Sequence, residues 1–258
     1  MLLAVDIGNS HTKFGVFSGE TPISKLSIPT MRDITAAGLI DAVGEKIQRP
    51  VTDAIVSSVV PEVNGAVGSY ISSYFSVTPF FVRNDLDFGL KINYQPLEDA
   101  GSDRLVNTFS AVETYGAPCI VCSFGTALTI DHVDKDRVLT GGLIAPGIKT
   151  LAAALKLTTS RLPEVAIEKP ASVIQNTTIG GLQSGIVYGY LGLFEGLIRR
   201  IKIEADGHPR VIATGGFAEL MSNNTDQIDI VDKDLMLNGL RLLAERRRGQ
   251  MESENEES

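Results

Sequence analysis

Apolar and polar positions alternate along the start of the chain in the manner of paired strands. Residues 2–9, 12–18 and 22–28 predict three strands, the first two joined through Gly8-Asn9. From Asp33 to Gln48 the period changes, and Ile34, Leu39, Ile40, Val43 and Ile47 fall at helical spacing. Asp53 to Val60 reads as an apolar, buried parallel strand stopped by Pro61. A helix from Glu62 to about Tyr74 and a strand over Thr78 to Arg83 follow. Asp85 to Ser102 has no period and holds Gly89, Pro96 and Gly101, yet its Phe88, Leu90, Ile92 and Tyr94 are too apolar for disorder. Irregular segments of that length inside a domain tend to carry function. A helix then runs from Asp103 to about Tyr115, and Gly116-Ala117-Pro118 breaks it.

The same order begins again beyond the break. Strands are expected near 119–124, 128–134 and 137–143, and a helix after Pro146-Gly147. Residues 158–175, with Pro163 and Pro170, form a linker to a long helix over about Thr178 to Ala205. Its Leu182, Ile186, Leu191, Leu193, Phe194, Leu197 and Ile198 are more than one groove absorbs, which puts it in a core or a subunit interface. Arg210 to Thr214 and residues 228–231 predict strands, and Lys233 to Arg247 a final helix. Gln250 to Ser258 is acidic, poor in apolar residues, and expected to lack structure. Strands alternating with helices define an α/β class.

The recurrence extends to detail. Gly8 aligns with Gly125, the Ser10–Thr12 region with Ala127–Thr129, and Asp6 with Ser123, an offset of 117 residues. That is too long for a solenoid, where repeats run about 20–50 residues. It implies two similar α/β domains, 1–115 and 116–248, and a tail over 249–258, with one phosphate-facing hairpin per domain and a nucleotide cleft between them.

Composition narrows the partners. The 258 residues suffice for one large domain or two ordinary ones. With 43% hydrophobic and 21% charged residues the chain reads as a globular protein. There is no leader pattern and no 18-residue apolar run, so no membrane span is expected. A net charge of −8 disfavours nucleic acid and anionic membrane, but not a nucleotide whose phosphates are neutralised locally by Mg²⁺ and backbone N–H groups. Cys119 and Cys122 form a C-x-x-C inside an apolar strand, where positions three apart face opposite ways, so buried structural thiols in a reducing cytoplasm are expected rather than a redox or zinc motif. His11, His132 and His208 are too scattered to suggest a metal cluster.

Three glycine-rich strand ends carry the candidate chemistry: Asp6 to Ser10, Gly125-Thr126 and Thr214-Gly215-Gly216. In the first, Gly8 allows close backbone approach, Asn9, Ser10 and Thr12 offer donors, and Asp6 can hold Mg²⁺ or its waters. An ordinary hairpin turn has the same residues. The third lets a flat ring or a phosphate lie against the backbone. Three such turns, two of them related by duplication, point to a nucleotide. Other nucleotide signatures fail: Ile148 separates Gly147 from Lys149, which spoils a P-loop, and no G-x-G-x-x-G follows the first strand. Gly101-Ser102-Asp103-Arg104 closes the irregular segment. There Asp103 is either a helix cap or a carboxylate that accepts a hydroxyl proton while Arg104 holds an anionic group.

Taken in order, Asp6-Ile7-Gly8-Asn9-Ser10, Gly101-Ser102-Asp103-Arg104, Phe124-Gly125-Thr126-Ala127, Gly141 to Gly147 and Thr214-Gly215-Gly216 resemble the motifs of the type III pantothenate kinases over residues 2 to about 247. That family lies in the acetate and sugar kinase, actin and chaperone ATPase superfamily. The resemblance implies two actin-like (ribonuclease H-like) domains and ATP-dependent phosphorylation of pantothenate to 4′-phosphopantothenate, the first step of coenzyme A biosynthesis. It implies an ATP phosphate loop of Asp6, Ile7, Gly8, Asn9, Ser10, His11, Thr12 and Lys13, a second phosphate contact at Thr126, and an adenosine side at Thr214, Gly215 and Gly216. Asp103 matches the proton acceptor, while Gly101, Ser102, Asp103, Arg104, Tyr94 and Thr178 match pantothenate contacts. Mg²⁺ is expected near Asp6. Thr178 to Tyr190 is similar to the family's substrate and dimer helix, which implies a homodimer with the pantothenate pocket at its interface. The chain departs from the family at Ser123, where an Asp usually ligates a monovalent cation, K⁺ or NH₄⁺. That departure keeps two alternatives open: a catalytically weakened relative that binds ligand as a regulator, and another small-molecule kinase of the superfamily.

Overall fold

The computed structural model describes residues 1–47 and 50–256. Gln48, at the end of the first expected helix, and Glu257-Ser258, at the end of the expected tail, lie outside the described residues. The chain divides into two compact units: Met1–Leu90 with Tyr94–Thr114 and the chain from Asp234 onward, and Lys91–Asn93 with Tyr115–Lys233.

The first unit is built on five strands in the order β3-β2-β1-β4-β5. β1 (Leu2–Ile7), β2 (His11–Ser18) and β3 (Thr21–Pro29) form an antiparallel meander, while β4 (Asp53–Ser58) and β5 (Phe80–Phe81) run parallel to β1. β1 is buried along its whole length, so it is an apolar run interrupted only by Asp6. On one face Leu3, Val5, Ile7 and Val56 pack against α1 (Ala36–Val43) and α2 (Pro61–Phe75) through Leu39, Val43, Val67 and Tyr70. Two further helices belong to this unit, α3 (Ser102–Tyr115) and α7 (Leu235–Glu256), the latter packed on β1 and β4. Gly239 of α7 sits so near α3 that a Cβ there would lie 2.8 Å from Ser110 Cβ and Val106 Cγ1.

The second unit repeats the plan. Its sheet runs β11-β10-β7-β8-β9-β6, with β7 (Cys119–Phe124), β8 (Ala127–Val133) and β9 (Val138–Pro146) antiparallel, and β10 (Arg210–Thr214) and β11 (Ile230–Val231) parallel to β7. The added edge strand is β6 (Lys91–Ile92). α4 (Ile148–Thr158) and α5 (Thr178–Glu204) pack together, and α5 sends Ile186, Val187, Tyr190, Phe194 and Ile198 onto Ile120, Cys122 and Phe124 of β7. α6 (Ala218–Ser222) is a short helix after β10.

Several expectations are corrected. The first helix is shorter than 33–48 because Thr35 caps it, its hydroxyl accepting from Gly38 N at 3.1 Å, and a 3₁₀ turn over Gly44–Lys46 ends it. β5 keeps two residues of the expected six: Pro79, with no N–H to give a ladder, precedes them, and Val82 N still donates to Val56 O at 2.8 Å just beyond. Lys91–Ile92, inside the segment read as irregular, pairs with β9. Residues 235–248, expected in the second domain, lie with the first, because Leu235, Leu237, Leu240 and Leu243 are buried there. The helix also continues through the acidic stretch expected to lack structure, anchored by Gln250 Nε2 donating to Asp87 Oδ2 at 2.9 Å. Finally, the two hairpins do not keep one offset. Asp6 faces Lys13 and Ser123 faces Thr129, so the second turn is one residue shorter and Lys13 corresponds to Thr129.

Candidate active site

In the first unit a carboxylate stands at the end of a core strand. Asp6 is 8% exposed, flanked in the sheet by Lys13 of β2 and Ser57 of β4. Lys13 Nζ lies 3.8 Å from its Oδ2, an ion pair too long to be a hydrogen bond. Burial pushes the Asp6 carboxyl up to about 6, with Lys13 pulling it down and the charge of Asp103 raising it further. The turn that follows is fixed from beneath. Gly8 N donates to His11 O at 3.1 Å, and Thr30 Oγ1 donates to Gly8 O at 2.7 Å. Thr12, a predicted ligand donor, is buried, and its hydroxyl meets Thr30 Oγ1 at 3.0 Å, so it braces the turn. Asn9, Ser10 and His11 are exposed at the tip. Thr30 has no sequence signal beyond its place at the end of β3.

Asp103 lies in the first turn of α3. The cap of that helix is Gly101, whose carbonyl accepts from Arg104 N at 3.0 Å and Leu105 N at 3.2 Å. A Cβ on Gly101 would stand 2.6 Å from Asp103 Oδ1, so a side chain there would push the Asp103 carboxylate from its place. The cap role open to Asp103 in the sequence is therefore filled by Gly101, and Asp103 Oδ1 accepts instead from the adjacent Arg104 N at 2.8 Å. Desolvation raises the Asp103 carboxyl above its ordinary range, against that backbone bond and the Arg104 charge. Arg104 is buried, and its Nη1 donates to Tyr94 Oη at 3.1 Å while its guanidinium carbon sits 5.1 Å from the Tyr94 ring centre. Asn84, which sequence reasoning missed, gathers the approach to Gly101 by donating to the carbonyls of Leu97, Glu98 and Ala100 at 3.1, 3.1 and 2.6 Å. Its one signal is an Asn at a strand exit, a residue type that binds nearby backbone. Ser102, expected at the substrate, is buried and turns its hydroxyl to β4, 2.8 Å from Ser57 Oγ.

The second unit brings together Ser123, Thr126 and Thr214 to Gly216. Ser123 and Thr214 are neighbours in the sheet at the ends of β7 and β10, and Thr129 flanks Ser123 on the other side. Gly215 adopts φ +94, and a Cβ there would lie 2.6 Å from Phe124 O, so the turn after β10 requires glycine. Gly147 is equally constrained: a Cβ would stand 2.3 Å from Gly125 O, and its N donates to Thr126 O at 3.1 Å. Thr150 Oγ1 also donates to Thr126 O, at 2.7 Å, so the Gly125-Thr126 turn is held by the start of α4 while Thr126 itself is exposed. Thr178 is exposed in the first turn of α5, and Thr177 caps that helix by accepting from Gly180 N at 3.0 Å. Cys119 and Cys122 are free and buried, and burial pushes the Cys119 thiol up to about 12. Among the described residues no group of three or more His, Cys, Asp or Glu side chains is placed to hold a metal, and no helix is long and apolar enough to cross a membrane.

Two units with one strand plan, each ending its first strand at a glycine turn, have the actin-like fold. A candidate 2-dehydro-3-deoxygalactonokinase from Sinorhizobium meliloti shares it, with a TM-score of 0.62 over 95% of this chain and 96% of its own at 12% identity. The particular family follows from sequence. The family model for type III pantothenate kinase matches residues 2–200. The type III pantothenate kinase of Halalkalibacterium halodurans is 38% identical over 250 residues, 94% of this chain and 98% of its own. That of Brevibacillus brevis is 40% identical over 253 residues, 95% of this chain and 99% of its own. The chain belongs to the type III pantothenate kinase family.

Proposed function

We propose that the chain transfers the γ-phosphoryl group of ATP to the 4′-hydroxyl of pantothenate, with Asp103 as the proton acceptor. The observation that carries this is the state of Asp103, a half-buried carboxylate whose proton affinity is raised by desolvation, next to an Arg104 braced by Tyr94. Raising a carboxyl toward neutrality makes its ionised form a better base. The 4′-oxygen forms its bond to phosphorus as the bridging bond to ADP breaks, and the hydroxyl proton passes to Asp103. Such transition states are loose, so holding the oxygen in line matters more than base strength. Arg104 supplies a fixed guanidinium for the pantothenate carboxylate.

Asp6 fits a divalent cation. It is buried, its ion-pair partner is 3.8 Å away, and its raised pKa reports a charge that the protein leaves under-compensated. Asp6 would hold Mg²⁺ directly or through water, and the ion would neutralise phosphate charge. The exposed turn of Asn9, Ser10 and His11, with Lys13, then supplies donors to the phosphates; Thr126 and Thr214 to Gly216 are assigned to the nucleotide on the second unit. Ser123 does not fit a monovalent cation well: it and its sheet neighbours Thr129 and Thr214 offer neutral hydroxyl oxygens where a carboxylate is wanted. No step depends on such a cation.

The homodimer reading is supported by the outer side of α5. Gly181, Gly185, Gly189 and Gly192 are exposed, and a Cβ on any of them meets nothing within 4 Å, which leaves a smooth stripe for a second helix. Ile144, Ile174 and Ile179 are exposed in the same unit at 62%, 91% and 56%. A cytoplasmic setting, where buried thiols such as Cys119 and Cys122 stay reduced, is part of this reading. Pantothenate-dependent ADP release against a panel of small hydroxy acids tests the function. Release with another acid but not pantothenate overturns the substrate, and release with none overturns the activity.

A further inference from the structure

We propose that Ser57 is a positioning residue for phosphoryl transfer, holding Asp103 in place through the hydroxyl of Ser102. Ser57 is wholly buried in β4 and stands directly beside Asp6 in the parallel register of β1 and β4. Its Oγ is 2.8 Å from Ser102 Oγ, and Ser102 Oγ donates to Ser58 O at 3.2 Å. A serine hydroxyl has one proton. Ser102 gives its proton to the Ser58 carbonyl, so in the shared bond Ser57 is the donor. The relay runs from Ser57 to Ser102 to the backbone of β4, and it ties the first turn of α3 to that strand.

The consequence falls on the next residue. Asp103 follows Ser102 directly, and its Oδ1 accepts from the backbone N of Arg104 in the same turn at 2.8 Å. The carboxylate is thus set by the height of that first turn over β4. Asp6 is set by the same strand, through the β1–β4 ladder. One strand therefore fixes both acidic groups, one through backbone bonds and one through two hydroxyls. A reacting pair displaced by about 1 Å can lose on the order of 10²-fold in rate, so a small tilt of α3 is enough to matter. Nothing in a pattern of residues announces this: Ser57 lies inside a run read as a plain buried strand.

The inference rests on Asp103 as proton acceptor, and the experiment separates the two. Ser57→Ala, Ser102→Ala, the double variant, Ser57→Thr and Asp103→Asn are assayed for kcat and for KM of ATP and pantothenate, well below each melting temperature. Loss of the relay is expected to lower kcat about tenfold, within the range that mispositioning produces, with KM for ATP unchanged. The double variant should be no worse than either single one, because both break one relay, and Ser57→Thr, which keeps the hydroxyl, should recover most of kcat. If Ser57→Ala does not fold, Ser102→Ala breaks the same relay from the helix side. A normal kcat in the folded alanine variants, with Asp103→Asn inactive, overturns the role of Ser57 alone. A normal kcat in Asp103→Asn overturns the reading on which it rests.

Discussion

The charge of Asp103 reaches the carboxyl of Asp6, which burial, opposed by Lys13, already pushes up from 3.8 toward about 6. Both carboxyls are raised chiefly by burial, and Asp6 is the more deeply buried of the two. Both belong to the first unit, Asp6 on β1 and Asp103 at the start of α3.

A stability prediction follows from the sign of that shift. The folded state holds the Asp6 proton more tightly than the unfolded chain does, so its contribution is favourable below about pH 4 and is lost as pH rises through about 6. Asp6→Asn removes the buried charge. Its melting temperature without ligand should exceed that of the parent at pH 8, by at most about 3 kcal/mol of stability at ~1.4 kcal/mol per pKa unit, and the advantage should fade toward pH 4. Turnover should collapse in the same variant. A parent and variant that melt alike at pH 8 would show that Asp6 is well compensated.

The stripe on α5 predicts a dimer. Light scattering at micromolar protein should give roughly twice the chain mass of 27.6 kDa. Gly189→Arg should give a folded monomer, since a side chain there meets nothing within 4 Å in its own chain. A parent protein that is monomeric and active sinks the proposal.

At Ser123 the prediction concerns cations. Replacing a carboxylate by a neutral hydroxyl weakens a site for a hard ion. Exchanging K⁺ for Na⁺ or a bulky organic cation at constant ionic strength should change the initial rate little, and Ser123→Asp should introduce a K⁺ dependence. A steep, saturable K⁺ requirement in the unmodified protein would mean that other oxygens complete the site.

What the sequence makes legible is what local pattern controls. The meander and its repeat show because β1 and β7 are apolar runs that end at glycine turns, and the two sheets indeed share one strand order. β6 is hidden, since two residues pairing with β9 leave no period to detect. The placement of α7 is hidden too, for its Leu235, Leu237, Leu240 and Leu243 show that it packs without showing on what. In the site, Asp6 stands out as the acid that interrupts the apolar run of β1. Ser57, Asn84 and Thr30 do not, because their work is done by contacts with residues 45, 13 to 16 and 22 positions away. Thr12 and Ser102 look like ligand donors in sequence, and only the fold reveals that the Thr12 hydroxyl meets Thr30 while Ser102 gives its proton to Ser58 O and accepts from Ser57.

The most direct test is the pantothenate-dependent rate of ADP release by Asp103→Asn beside the parent protein. The parent should turn over only with pantothenate present. The variant should lose about 10²–10⁴-fold in kcat, the range for removing a positioned base, with ATP affinity nearly unchanged. Turnover close to normal in Asp103→Asn would contradict the account, leaving Asp103 as no more than an acidic residue in the first turn of α3.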